Sequence, residues 1–322
     1  MNPKHLKTLG LAIFILFIVL YNLFDNNRVA LVRQEVKLKN LPDSFNGFTI
    51  LQLSDLHGKR FGQNQEHLIN KINSYQYDII TITGEMMDSS DESGTKPFYE
   101  LLDGIKNKKY IFYTGEEDLV AMDHCTGEKT QYGKNLEEKG VTLLDHVNPL
   151  KKGKEKIWIA PFQSVLLIDS FLKEAKKNMQ AEKDPKKLEA YKLQEDYFSK
   201  LKEDLESLKP SDTVIALDHY PYATDDPSKT PGEILYYDLV VAGHYHGGQF
   251  RIPFYGAFYI PIPDSSGNGL FPAQEDVSGL KNWGAFQQYI SKGLGASGPI
   301  PLLKFRLFNT PEINLITLVK DK

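Results

Sequence analysis

The feature that most constrains this chain is a set of short, β-rich apolar runs that end abruptly in polar residues. Candidate strands run from Phe48 to Leu53, Asp78 to Thr83, Tyr110 to Thr114, Ile157 to Ala160, Thr213 to Leu217, Asp238 to Ala242 and Ile313 to Val319. They alternate with loops and helical stretches, the pattern of an α/β or layered α+β domain. Several run straight into His, Asp or Glu. Open α/β sheets hold their ligand crevices beyond strand ends, so these polar clusters are candidate site residues.

Hydrophobic residues make up 41% of the 322 and charged residues 25%, an ordinary globular balance. A formal net charge of −4 argues against a protein that grips nucleic acid by neutralising many phosphates. Cys125 stands alone, which excludes an internal disulfide framework and a cysteine-built zinc cage. A metal, if bound, must use imidazole and carboxylate.

Leu9 to Phe24 is almost wholly apolar and follows Lys4, His5 and Lys7. At about 16 to 18 residues it approaches the minimum for crossing about 30 Å of hydrocarbon. A cleaved signal is the competing reading, but the run ends in Tyr21-Asn22-Leu23-Phe24-Asp25 and offers no small-residue cleavage pattern. Residues 1–30 are therefore expected to be a single-pass membrane anchor and residues 31–322 the functional domain. Lys4, Lys7 and the terminal amine slightly outweigh Arg28 and Arg33, which places the N-terminus in the cytoplasm and the domain outside it.

Within about 164–209, Leu188, Tyr191, Phe198, Leu201, Leu205 and Leu208 recur at helical spacing. Asp184-Pro185 can start a helix and Pro210 can stop one, so a helical hairpin inserted into the domain is expected. Either it is a solvated decoration or it forms a lid or partner surface over the site. The aromatic stretch from Phe250 to Phe271 could shape a pocket, although Tyr255, Phe258 and Tyr259 could equally serve the core.

The chemistry concentrates at strand ends. Ser54-Asp55-Leu56-His57 follows the first run, and Asp-x-His alone could be no more than a polar turn. Gly243-His244-Tyr245-His246-Gly247-Gly248-Gln249 is more telling, because glycines let the backbone approach a ligand while two imidazoles point at a metal. His219 closes another strand in Leu217-Asp218-His219-Tyr220-Pro221.

In this order the clusters resemble the motifs of the calcineurin-like metallophosphoesterases: Asp-x-His, Gly-Asp-x-x-Asp, Gly-Asn-His-Glu/Asp, a strand-end His, and Gly-His-x-His. The Gly-His-Tyr-His-Gly-Gly-Gln run, Tyr289-Ile-Ser-Lys-Gly-Leu-Gly-Ala-Ser297 and Pro311-Glu312-Ile313 look like the membrane-associated bacterial branch related to UDP-diacylglucosamine pyrophosphatases. The resemblance implies two mixed β-sheets packed as a sandwich flanked by helices. It also implies two divalent ions, of manganese, iron or zinc, and hydrolysis of a phosphoester that is lipid-linked in that branch. Asp55, His57 and His246 would take the first ion, His219 and His244 the second, and Glu85 would bridge them.

Three positions depart from the family pattern. Gly84-Glu85-Met86-Met87-Asp88 has Glu85 where the family has the bridging Asp, and Gly115-Glu116-Glu117-Asp118 has Glu116 for the Asn ligand and Glu117 for the catalytic His. Three carboxylates against two dications leave a formal +1, where a neutral Asn leaves +2. A unit charge at about 4 Å is worth on the order of 4 kcal/mol at an effective dielectric near 20, so anion affinity should fall. Glu117 could act as general acid only if burial kept it protonated. The alternative is a catalytically impaired relative that binds metal, a lipid headgroup or a protein without turnover.

Overall fold

Alternation along the strands decides the layering, because successive side chains of a strand face opposite sides of its sheet. A computed structural model describes residues 3–88, 92–108, 110–114, 121–123, 128–223, 237–260, 269–298 and 304–321. All seven expected strands form, each within two residues of its expected bounds. They are distributed over two six-stranded mixed sheets.

The first sheet has the order β1 (Ala30–Leu38), β16 (Glu312–Lys320), β2 (Thr49–Leu53), β3 (Ile79–Thr83), β4 (Ile111–Thr114) and β7 (Val141–Leu143). From β2 to β7 neighbours are parallel, while β16 runs antiparallel to β2 and parallel to β1. The second sheet has the order β14 (Gly279–Asn282), β15 (Gln287–Ile290), β11 (Leu239–Ala242), β10 (Val214–Leu217), β9 (Glu155–Pro161) and β8 (Asn148–Lys152). Its four central strands are parallel and its two edge strands antiparallel. Two small antiparallel ribbons complete the strands: β5 (Met122–Asp123) with β6 (Glu128–Lys129), and β12 (Arg251–Ile252) with β13 (Gly256–Ala257).

Between the sheets, Ile50, Ile79, Phe112 and Ile316 of the first meet Ile157, Ile159, Ile215, Leu217 and Val241 of the second in one buried cluster. The opposite register of the same strands faces outward. Leu51, Leu53, Ile80 and Ile82 pack under α2 (Glu66–Asn73), α3 (Glu92–Gly104) and α4 (Gln131–Glu138) through Leu68, Ile72, Phe98, Leu101 and Leu136. Fully burying a side chain of this kind contributes about 1.5–3 kcal/mol. A further short helix, α7 (Gln274–Val277), follows the ribbon of β12 and β13.

The expected helical hairpin is α5 (Gln163–Ala181) and α6 (Pro185–Glu206). Asp184 caps α6 by accepting from the Lys186 amide at 2.9 Å, with Pro185 in the first turn where its missing N–H costs nothing. The hairpin does not stand off in solvent. Phe198, Leu201 and Leu205, with Ile168, lie on Ala160, Val214, Ala216 and Val240, so it is the helical layer of the second sheet.

The apolar N-terminal run lies in α1 (Pro3–Asn27), 25 residues of mean hydropathy 2.1 in its most apolar window, with only 6% of that window buried. This helix is long and apolar enough to cross a membrane. Its last turn differs in kind from the rest, because Asn22 and Asp25 are buried.

Candidate metal centre

Four neighbouring parallel strands, two from each sheet, deliver their C-terminal ends to one edge of the sandwich. β2 leads into Asp55 and His57, β3 into Glu85, β10 into His219 and β11 into His244 and His246. Backbone bonds continue between these loops beyond the strands: the Asp55 amide donates to Gly84 O at 3.0 Å, the His57 amide to Glu85 O at 2.9 Å, and the Gly243 amide to His219 O at 3.1 Å.

Asp55, His57, Glu85, His244 and His246 all have positive φ, between 48° and 79°. They make up five of the eleven such non-glycine residues among those described. That conformation costs about 1–2 kcal/mol for an L-residue, and its concentration here turns each chain sharply so that the side chain folds back over the strand ends.

The side chains converge as two groups sharing one carboxylate. Glu85 Oε2 lies 3.0 Å from His57 Nε2, 3.2 Å from His246 Nε2 and 3.5 Å from His219 Nε2. On one side, His57 Nε2 and His246 Nε2 are 3.1 Å apart, with Asp55 Oδ1 3.5 Å from His246 Nε2. On the other, His219 Nε2 and His244 Nδ1 are 3.1 Å apart. The sets Asp55, His57, Glu85, His246 and Glu85, His219, His244 can each converge on a metal ion. Thus the longer Glu85 reaches both groups from the position where the family places Asp.

The donor chemistry fits divalent ions of the borderline class. Asp55 Oδ2, His244 Nε2 and His246 Nδ1 are buried without a hydrogen-bond partner among the described residues. Thr83 O can only accept, so at 2.8 Å His219 Nδ1 carries the proton and donates it, which leaves Nε2 to face the centre. Burial, reinforced by His219, pushes His244 down to about 4, and burial lowers His246 as well. Both rings are therefore neutral at pH 7, with lone pairs available. Burial alone would raise Glu85, but bonds from His246 and His57 outweigh it and hold the carboxyl well below the usual range. For His219 the downward push of burial is exceeded by the charges of Asp55 and Glu85, and its net shift is upward.

The supporting shell holds residues that sequence reasoning missed. Gln52, pointing between the sheets from β2, donates to Ala242 O at 2.7 Å and Thr83 Oγ1 at 3.0 Å, pinning together the ends of three site strands. The segment from Tyr289 to Ser297 wraps the Asp55 turn: Leu294 and Gly295 amides donate to Ser54 O and Asp55 O at 3.1 and 2.5 Å. A Cβ at Gly293 would lie 2.6 Å from the Asp55 side chain, so only glycine fits. Arg306, fully buried, donates to the carbonyls of His246, Gly295, Lys292 and Asn309, and Asn309 donates to His246 O at 2.7 Å. Nothing in Lys304-Phe-Arg306-Leu-Phe-Asn309 distinguishes this arginine from a surface cation.

Glu116 and Glu117 lie outside the described residues. Asp88, last residue of the Gly84 to Asp88 motif, pairs with Lys304 at 2.7 Å at the surface. Tyr255 and Tyr259, candidates for the core, are instead exposed.

Residues 48–248 match the model of the calcineurin-like phosphoesterase domain. The chain is 24% identical over 294 residues to the uncharacterized metallophosphoesterase YkuE of Bacillus subtilis (strain 168), covering 88% of this chain and 83% of that protein. It is 32% identical over 83 residues to the phosphodiesterase YaeI of Escherichia coli (strain K12), 26% of each chain. A transmembrane protein with metallophosphoesterase domain from Danio rerio is 23% identical over 222 residues, 67% of this chain and 44% of the fish protein. With the domain match spanning well over half of the sequence and ending on the glycines of the His244–His246 loop, this chain belongs to the calcineurin-like phosphoesterase family.

Proposed function

We propose that this chain is a membrane-tethered, metal-dependent phosphoesterase that hydrolyses a phosphodiester or pyrophosphate carried on a lipid. The observation that carries the reading is Glu85 Oε2, within 3.5 Å of His57, His246 and His219 at once, where one carboxylate serves two clusters of ligands. Asp55, His57 and His246 would hold a first divalent ion and His219 and His244 a second, to which Glu116 would add a ligand by resemblance to the family. Two such ions supply positive charge that activates water and neutralises phosphoryl oxygens. Asp55 is anchored for this work by accepting from the His244 amide at 3.0 Å. Glu117, in place of the family His, donates a proton to the leaving group.

Residues 1–30 form a single-pass anchor with residues 31–322 on the extracytoplasmic side. The resemblance of the Tyr289 to Ser297 segment to the C-terminal motif of the UDP-diacylglucosamine pyrophosphatase branch supports kinship with that branch. The test is hydrolysis of an activated aryl phosphodiester by the full chain in detergent with manganese. Metal-dependent turnover well above an Asp55→Ala control is expected, and turnover no higher than that control overturns the proposal.

Glu116 and Glu117 standing where the family has Asn and His favour a second reading, a relative that binds metal and a headgroup or protein without turnover. Two tightly held ions together with turnover exclude it; metal bound without turnover supports it.

A further inference from the structure

Outside α1, eight large hydrophobic residues are exposed among those described, and seven of them are Ile252, Phe254, Tyr255, Tyr259, Leu270, Phe271 and Phe305. A soluble surface scatters such residues singly, so this concentration marks a contact surface. Two contacts pair four of them into a patch around the ribbon of β12 and β13: Tyr255 packs on Phe271 with ring centroids 5.7 Å apart, and Tyr259 pairs with Leu270 in an isolated antiparallel bridge. Phe254, wholly exposed, sits in the turn between β12 and β13 at φ 67°.

The same strip of chain carries both this patch and the end of α1. Leu307 joins the base of the ribbon, its amide donating to Gln249 O at 3.1 Å and its carbonyl accepting from Arg251 at 2.9 Å, while Phe305 packs on Phe250. On the other side, Asn22 accepts from the Phe308 amide at 3.0 Å, Asn26 accepts from the Arg306 amide at 2.8 Å, and Tyr21 lies against Phe308. Asp25 accepts from Thr310 at 2.7 Å. The point where α1 meets the domain is therefore fixed beside the ribbon. Phe254 lies three residue steps beyond Arg251, which at about 3.3 Å per residue keeps the turn within about 10 Å of that strip.

We infer that the patch of Phe254, Tyr255 and Phe271 is a second membrane contact, an aromatic ribbon seated in the headgroup layer of the bilayer that α1 crosses. Aromatic residues with one polar tip suit that layer, as Tyr255 and Tyr259 do here. The inference rests on α1 lying in the bilayer. It deepens the functional reading, because the metal-bearing loop is tied to the same strip through Arg306 and packs on the ribbon through Gly248 and Ala257. That arrangement brings the centre to the phosphates of lipids instead of those of soluble esters.

The experiment places an environment-sensitive fluorophore on single cysteines of the full chain in a Cys125→Ser background, in nanodiscs of phosphatidylcholine and phosphatidylglycerol. Phe254→Cys and Phe271→Cys report the ribbon, Leu16→Cys the helix, and Lys187→Cys the exposed face of α6. Lipids spin-labelled on the upper acyl chain serve as quencher. Loss of emission at 254, 271 and 16, with emission at 187 kept, is the expected result. Loss at 16 alone overturns the ribbon contact and leaves the anchor standing. Emission kept at all four positions removes the anchor and the ribbon contact with it. Unquenched emission at 254 together with oxidative cross-linking of two Phe254→Cys chains assigns the patch to a second copy and also overturns the inference.

Discussion

His57 and His246 present their Nε2 atoms to each other at 3.1 Å, with Glu85 Oε2 3.0 Å from one and 3.2 Å from the other. Two ring nitrogens at that distance share at most one proton, and with none their lone pairs repel. A cation placed among them and Glu85 reverses that repulsion. Divalent metal should therefore stabilise the fold, by about 2.7 kcal/mol at a hundred times its Kd, since the unfolded chain has no preformed site. Calorimetry should show a higher Tm with manganese, reversal by chelator and a smaller response in Asp55→Ala, which keeps only the Glu85, His219, His244 group intact; a Tm of the wild-type chain indifferent to metal counts against the centre.

Gly84 has φ +82°, and a Cβ there would meet His219 Nδ1 at 2.8 Å, the atom that donates to Thr83 O. Gly84→Ala should lower stability by about 1–2 kcal/mol from the backbone conformation alone. It should also turn the His219 ring off its bond. The specific outcome is a drop from two bound ions to one, with the Asp55, His57, His246 group still loaded, read by elemental analysis after gel filtration.

Arg306 is buried and its four carbonyl partners have no carboxylate among them. Burial depresses its pKa only to about 10, so it stays charged at neutral pH. Lysine cannot reproduce the planar fork that meets these carbonyls together. If Arg306→Lys leaves two of them unpaired at about 1–3 kcal/mol each, the loss is on the order of 2 kcal/mol or more. Denaturant unfolding measures it, and a conservative variant as stable as wild type shows that the network contributes little.

What the sequence discloses follows from how local each signal is. Thr49–Leu53, Ile79–Thr83, Val214–Leu217 and Leu239–Ala242 read as strands because apolar β-formers run up to a polar break, and Asp55, His57, Glu85, His219, His244 and His246 stand at those breaks. Strand β1, Ala30–Leu38, mixes Arg33, Gln34, Glu35 and Lys37 with apolar residues and exists through its pairing with β16, nearly the whole chain away. The hairpin of α5 and α6 announces itself through helical spacing and the Asp184 cap. Its docking on the second sheet depends on Val214, Ala216 and Val240 facing outward, which no local pattern reveals. Arg306 and Gln52 owe their roles to carbonyls brought near by the fold.

Asp238 lies at the foot of β11 and accepts from the Val214 amide at 2.9 Å, yet burial outweighs that bond and raises its pKa to about 6. An acid raised in the folded state holds its proton more firmly there than in the unfolded chain. Its contribution therefore falls as pH climbs from about 4 to 6, and the deficit is complete above 6. Asp238→Asn keeps an acceptor for Val214 and removes the ionisation. Unfolding free energies compared across pH 4 to 7 should show the variant gaining on wild type in that window; parallel curves would mean that Asp238 ionises freely.

Glu117 stands where the family has a His that protonates the leaving group, and its side effects on rate depend on how badly that group needs a proton. An aryl leaving group departs as a stable anion, whereas an alkyl oxygen does not. If proton donation limits turnover, Glu117→His should accelerate hydrolysis of an alkyl phosphodiester, with up to about 10²–10⁴-fold available from general acid catalysis, and change an activated aryl ester little. The comparison uses kcat/KM for both esters on one preparation, with bound metal measured alongside to separate proton transfer from altered ligation. Equal gains on the two esters would instead trace the effect to the loss of a negative charge at position 117.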